Sequence, residues 1–236
     1  MNPGAEGGLV RVPAAGAMLE GNLATSPNAS GVVLFAHGSG SSRHSPRNRA
    51  VARALNEGGL ATLLVDLLTP AEESVDEQTG QLRFDIGLLA DRLVDAADWL
   101  TANEETRSLP IGLFGASTGG GAAIVAAAQR PNTVRAVLSR GGRPDLAGAA
   151  LSRVRAPTLL IVGGRDYPVI ELNREAFERL RCEKKLEIVP GASHLFEEPG
   201  ALQEVARLAR DWFRKFLAPP AAAVRPARER NREASS

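Results

Sequence analysis

Residues 111–122 restrict the fold more than any other part of this chain. The apolar run Ile111-Gly112-Leu113-Phe114 reads as a buried strand. It breaks into Gly115-x-Ser117-x-Gly119, and small helix-forming residues follow at once. A strand, a sharp turn and a helix in that order bring the two elements almost into contact, so the positions two before and two after the apex must lack side chains. Gly115 and Gly119 meet that demand and leave Ser117 at the apex. The same turn puts the Ser117 hydroxyl beside the unpaired N–H groups that open the helix, where a developing oxyanion is stabilised. A glycine-rich turn without chemistry carries the same pattern, so the rest of the chain has to decide between the two.

Elsewhere, apolar runs alternate with amphipathic stretches. Strands are predicted at 9–12, 18–24, 32–36, 61–65, 111–114, 134–138, 158–162 and 186–189. Most are continuously apolar, the mark of a strand covered on both faces. Helices are predicted after Ser45-Pro46, from Asp85, from Thr118, from about Glu171 and along the stripe from Leu202 to Phe216. Segment 67–83, with Thr69-Pro70, several acids and Gly80, reads as a polar loop. This order predicts the α/β class: an eight-stranded, mostly parallel, doubly wound sheet with helices on both faces. Its first two strands are joined by too few residues for a crossover and must be antiparallel.

With 236 residues, 44% of them hydrophobic, one domain spanning 9–217 is the natural reading. Residues 1–8 are expected to be a flexible N-terminus. The composition of 218–236, rich in Pro, Ala, Arg and Glu, predicts a disordered tail. A net charge of +1, with lysines only at 184, 185 and 215, gives no basis for nucleic acid as a partner. The single cysteine, Cys182, excludes an intramolecular disulfide framework or a multi-cysteine metal site, and no cofactor is expected. The N-terminus has neither the basic start nor the apolar run of a signal peptide. No stretch reaches membrane-spanning length, so the expected compartment is the cytoplasm, with no membrane partner.

A serine hydroxyl needs a base to remove its proton, and the base needs a partner that fixes its tautomer. His194 follows the last predicted strand and Asp166 the one before, so Ser117, Asp166 and His194 occur in the chain order that this kind of sheet imposes. Each comes just after a strand end, on the side of the sheet where ligands bind. Asp145 competes with Asp166 for the acid, from one strand earlier. Taken singly, His194 reads as a surface histidine and Asp166 as a turn residue. The oxyanion hole is expected from the backbone N–H groups of Thr118 and Ser39, the latter in the loop His37-Gly38-Ser39-Gly40. His37 reads as a structural hydrogen-bonding group, and His44 has no assigned role.

Gly115-x-Ser117-x-Gly119, His37-Gly38, Gly163-Gly164-x-Asp166 and Pro190-Gly191-Ala192-x-His194, in that order, resemble the α/β-hydrolases, in the branch similar to dienelactone hydrolases. The resemblance covers about residues 9–217 and implies serine-dependent hydrolysis on an eight-stranded sheet. Dienelactone hydrolases carry a cysteine as nucleophile, whereas this chain has Ser117. Only residues 140–156 separate the sixth strand from the seventh, where relatives insert a lid, so no lid domain and an open, shallow site are expected. Arg43, Arg47, Arg140 and Arg143 are placed to form a basic rim that would favour an anionic ester; in an arginine-rich chain they also read as solvated surface groups. The sequence therefore points to a serine hydrolase acting on a small carboxylic ester, lactone or thioester. An acyltransferase or perhydrolase on the same residues, or a non-catalytic binding module, are the alternatives.

Overall fold

Each apolar run is a strand, and together the strands build one eight-stranded sheet in the computed structural model, which describes residues 7–218. The strands are β1 (Gly8–Ala14), β2 (Ala17–Ala24), β3 (Val32–Ala36), β4 (Ala61–Val65), β5 (Ile111–Ala116), β6 (Val134–Arg140), β7 (Thr158–Gly163) and β8 (Lys184–Val189). Their spatial order is β1-β2-β4-β3-β5-β6-β7-β8, with β1 and β2 antiparallel at one edge and the remainder parallel. Gly8, assigned from sequence to a flexible end, instead opens β1 and pairs with Leu23. The expected flexibility of residues 1–6 and the expected disordered tail from residue 219 lie outside the described residues.

The helices are α1 (Pro46–Glu57), α2 (Pro70–Thr79), α3 (Ile86–Ala102), α4 (Thr118–Gln129), α5 (Tyr167–Arg179) and α6 (Ala201–Leu217). Successive side chains of a strand point to opposite faces, so each central strand feeds two cores. Leu34, Leu63, Leu113 and Val137 pack with α3 and α4; Val33, Phe35, Phe114 and Leu138 pack with α1 and α6. Phe35 and Phe114 stack with ring centroids 4.6 Å apart, tying β3 to β5 directly below the elbow. Among the described residues no helix is long and apolar enough to cross a membrane.

The 67–83 segment departs from the expected loop: most of it is α2. Its sequence has no apolar stripe, and its one buried side chain is Asp76. The helix is instead set by its ends. Thr69 and Glu72 form a capping box, Pro70 starts the first turn and Gly80 closes the last with φ 65°. Glu72 then reaches α3, where the fully buried Arg92 donates to both its carboxylate oxygens, at 2.8 and 2.5 Å, and to the Leu67 carbonyl at 2.5 Å. That pairing holds the Glu72 carboxyl well below the usual range, at about 2, and latches α2 to the domain.

Candidate active site

The elbow is formed by close backbone contact. Ser117 has φ 51° and ψ −123°, a conformation that a residue with a Cβ adopts only when its surroundings impose it. A Cβ on Gly115 would stand 2.4 Å from the Gly119 carbonyl oxygen, and one on Gly119 would stand 2.4 Å from that of Ala36. Both positions exclude every other residue. Ser117 donates its N–H to the Arg140 carbonyl at 3.3 Å and accepts at its own carbonyl from Arg143 N–H at 3.0 Å, so β6 and the loop after it brace the turn.

Asp166 directly precedes α5, and its side chain makes no capping bond there, which leaves the carboxylate for another partner. That partner is His194, whose Nδ1–H donates to Asp166 Oδ2 at 2.6 Å. The carboxylate is mostly covered, with 12% of its side chain exposed against 40% for His194. A proton on Nδ1 makes Nε2 the acceptor, the tautomer a general base requires. His194 also borders the loop that braces the elbow: a Cβ on Gly141 would lie 3.6 Å from its Cε1. Among the described residues the Ser117 hydroxyl makes no hydrogen bond, to His194 or to any other side chain. Asp145 is engaged elsewhere, accepting from Arg143 at 2.9 and 2.7 Å.

Glu198, which the sequence reading missed, ties the two loops together. It accepts from Ser193 N–H at 3.0 Å and pairs with Arg165, so one carboxylate holds the neighbour of His194 and the neighbour of Asp166. These bonds lower its carboxyl to about 2. Arg165 N–H donates to the Ala192 carbonyl at 2.9 Å and completes the clasp. Nothing in the spacing of Glu198 marks it, because its role depends on two loops meeting.

On the other side of Ser117, the Ser39 N–H donates to the Thr118 hydroxyl at 3.0 Å. His37 is a buried strut, as its position implied: Nδ1–H donates to the Gly38 carbonyl and Nε2 accepts from Leu67 N–H, each at 2.9 Å. Burial lowers its pKa and keeps the ring neutral.

The four arginines do not form the expected basic rim. Arg43 pairs with Asp66 and Glu20, Arg47 with Glu197 at 3.1 Å, and Arg143 with Asp145. Arg140 is 7% exposed, beneath the surface, with its guanidinium 5.9 Å from the Phe196 ring and burial lowering its pKa to about 10. Sequence position put these cations at the correct end of the sheet but could not show which carboxylates stand opposite Arg43, Arg47 and Arg143, or that Arg140 is buried with, among the described residues, only the Asn48 side-chain oxygen within reach. Beside the elbow, the loop after β3, α2, Leu89 of α3 and Thr118 line a half-open cavity of about 280 Å³.

Comparison with known proteins agrees with this architecture. The family model described as the dienelactone hydrolase family matches residues 19–218. A crystal structure of dienelactone hydrolase from Anabaena variabilis is 63% identical, with a TM-score of 0.87 over 89% of this chain and 97% of that one. A Xanthomonas campestris protein described as an a/b serine hydrolase without lid shares the fold at 23% identity, with a TM-score of 0.71 over 92% of this chain and 97% of that one. A Mycobacterium tuberculosis protein named "Putative phosphoribosyl transferase" is 56% identical over 211 residues, which are 89% of this chain and 47% of that protein. The chain thus spans about half the length of the curated relatives it matches. With an eight-stranded α/β-hydrolase sheet, a serine at its elbow and a family match over residues 19–218, the chain belongs to the dienelactone hydrolase family.

Proposed function

We propose that this chain hydrolyses a small carboxylic ester, lactone or thioester through an acyl-enzyme on Ser117. The observation that carries the reading is the 2.6 Å bond from His194 Nδ1 to Asp166, made against the loop that braces a serine held at φ 51°. A histidine fixed in this tautomer leaves Nε2 free to accept a proton from the serine of the elbow.

Ser117 Oγ attacks the carbonyl carbon as its proton passes to His194 Nε2, and Asp166 stabilises the imidazolium. The oxyanion is met by the backbone N–H groups of Ser39 and Thr118, the former exchanging its bond to the Thr118 hydroxyl for one to the oxyanion. Collapse of the tetrahedral species breaks the bond to the leaving oxygen or sulfur, which takes the proton from His194. Water, deprotonated by the same imidazole, then releases the acid. An alcohol or hydrogen peroxide in place of that water would make the reaction a transfer or a perhydrolysis on the same groups.

The phosphoribosyl transferase name belongs to relatives about twice as long, and the serine, histidine and aspartate described above point instead to acyl chemistry. Treatment with a serine-directed fluorophosphonate followed by intact-mass measurement tests the reading. A single adduct is expected on the wild type and none on Ser117→Ala, together with turnover of short esters by the wild type alone. A wild type that takes no adduct would make the scaffold a binding module.

A further inference from the structure

The arginines pointed to a basic site, yet the cavity beside the elbow is acidic. Gly38, which lines it, also touches the apex: a Cβ there would stand 2.9 Å from the Ser117 Cβ. A carbonyl held over Ser117 therefore directs one half of the ester into this space of about 280 Å³.

The charges that face the cavity do not cancel. Arg83 lines it, but its Nε donates to the Asp76 carboxylate and its Nη2 to the Asp76 carbonyl. Arg43, nearby, is held by Asp66 and Glu20. Glu73 and Glu77 also line the cavity, and among the described residues neither has a recorded ion pair with a cation. Burial and the fields of Asp66, Glu77 and Asp76 raise the Glu73 carboxyl above its ordinary value, against the smaller opposing pull of Arg43. Leu67, Leu68 and Leu89 supply an apolar floor. Thr118, 3% exposed, also lines the cavity and accepts from Ser39 N–H.

We propose that this cavity binds the half of an ester substrate that carries an ammonium group, with its alkyl chain on the leucines and its cation facing Glu73 and Glu77, which set specificity. The inference rests on the hydrolase reading and names a substrate class for that site. Half-buried Glu73 and exposed Glu77, neither held by a cation among the described residues, attract a cation to the cavity and repel the anionic ester that the arginines suggested.

The test compares esters that differ only in charge. One pair varies the alcohol: acetylcholine against its neutral carbon isostere, 3,3-dimethylbutyl acetate. A second varies the acyl group: the methyl ester of 4-(trimethylammonio)butyric acid against that of 5,5-dimethylhexanoic acid. In one of the pairs the wild type is expected to favour the cation in kcat/KM by about tenfold at low ionic strength, and the preference is expected to shrink in about 0.5 M salt. The preference is also expected to fall toward one in the double variant Glu73→Gln, Glu77→Gln, checked for folding by circular dichroism. Turnover of the neutral esters with no cation preference in either pair overturns the inference and leaves the hydrolase reading standing. So does a preference that persists undiminished in the folded double variant. Turnover of no ester in either pair fails the hydrolase reading, and the inference with it.

Discussion

The Ser39 N–H donates to the Thr118 hydroxyl at 3.0 Å, so the loop after β3 is fastened to the first residue of α4. In the proposed reaction this N–H is one of two that meet the oxyanion, and the fastening places the Ser39 loop against α4 beforehand, so that only the N–H has to change partner during the reaction. Thr118→Val removes the acceptor and is expected to lower kcat on a short ester by about tenfold. Thr118→Ser keeps the acceptor and should stay near the wild type. Equal kcat for valine and threonine in steady-state assays would show that the fastening does not place the loop.

In the proposed reaction Asp166 is the acid, since it bonds to His194 while Asp145 is spent on Arg143. Asp166→Asn is expected to reduce kcat by about a thousandfold or more, because the amide favours the wrong imidazole tautomer. Asp145→Asn should change it by less than about threefold. A large loss confined to Asp145→Asn, measured on the same ester, would reverse the assignment.

Glu198 acts through its neighbours. Glu198→Ala removes the acceptor for Ser193 N–H and the partner of Arg165, freeing both loops, and is expected to cost about tenfold in kcat with a smaller change in KM. Glu198→Gln retains an oxygen for Ser193 N–H and should recover part of the loss. If both variants lose equal activity, the ion pair between Glu198 and Arg165 matters and the hydrogen bond from Ser193 N–H does not.

His37 makes stability depend on pH. Its folded pKa lies below the ordinary 6.5, so between the two values the unfolded chain binds a proton that the folded chain refuses. The contribution is therefore complete above about pH 6.5 and declines as the pH falls below it. Urea midpoints should drop from pH 7.5 to pH 5.5, and by less in His37→Gln. His37→Ala leaves the Leu67 N–H without its acceptor, at an expected cost of about 1–3 kcal/mol. An unchanged pH slope in His37→Gln would remove His37 as its source.

The latch between α2 and α3 adds a second loss of stability, at lower pH. Glu72 is depressed from 4.5 to about 2, so its contribution is full above its unfolded pKa and is lost as the pH falls through that interval. Glu72→Gln leaves the buried Arg92 guanidinium without its counter-charge. It should cost about 3 kcal/mol at neutral pH and flatten the acid limb of the stability profile. Thermal melts from pH 7 to pH 3 would show both effects.

Much of this architecture could be read from neighbouring residues. β3 and β4 run over the expected spans, and the elbow followed from its glycines, because buried strands and tight turns are local demands on consecutive positions. α2 was misread for an equally physical reason. Its apolar face is missing, and the capping box at Thr69 and Glu72, though visible, becomes persuasive only once Arg92 anchors it. Ser117, Asp166 and His194 were legible as an ordered set because the topology constrains where loops after successive strands emerge.

Periodicity and glycine spacing were thus enough to establish the doubly wound sheet, its antiparallel edge and a serine at a sharp turn, all properties of short stretches of chain. Folding alone settled which carboxylate the imidazole meets, which arginines are already paired, and that an acidic helix walls the space beside Ser117. Those outcomes join residues far apart in the chain. A charge's effect depends on what stands a few ångströms away, and linear order does not encode that distance.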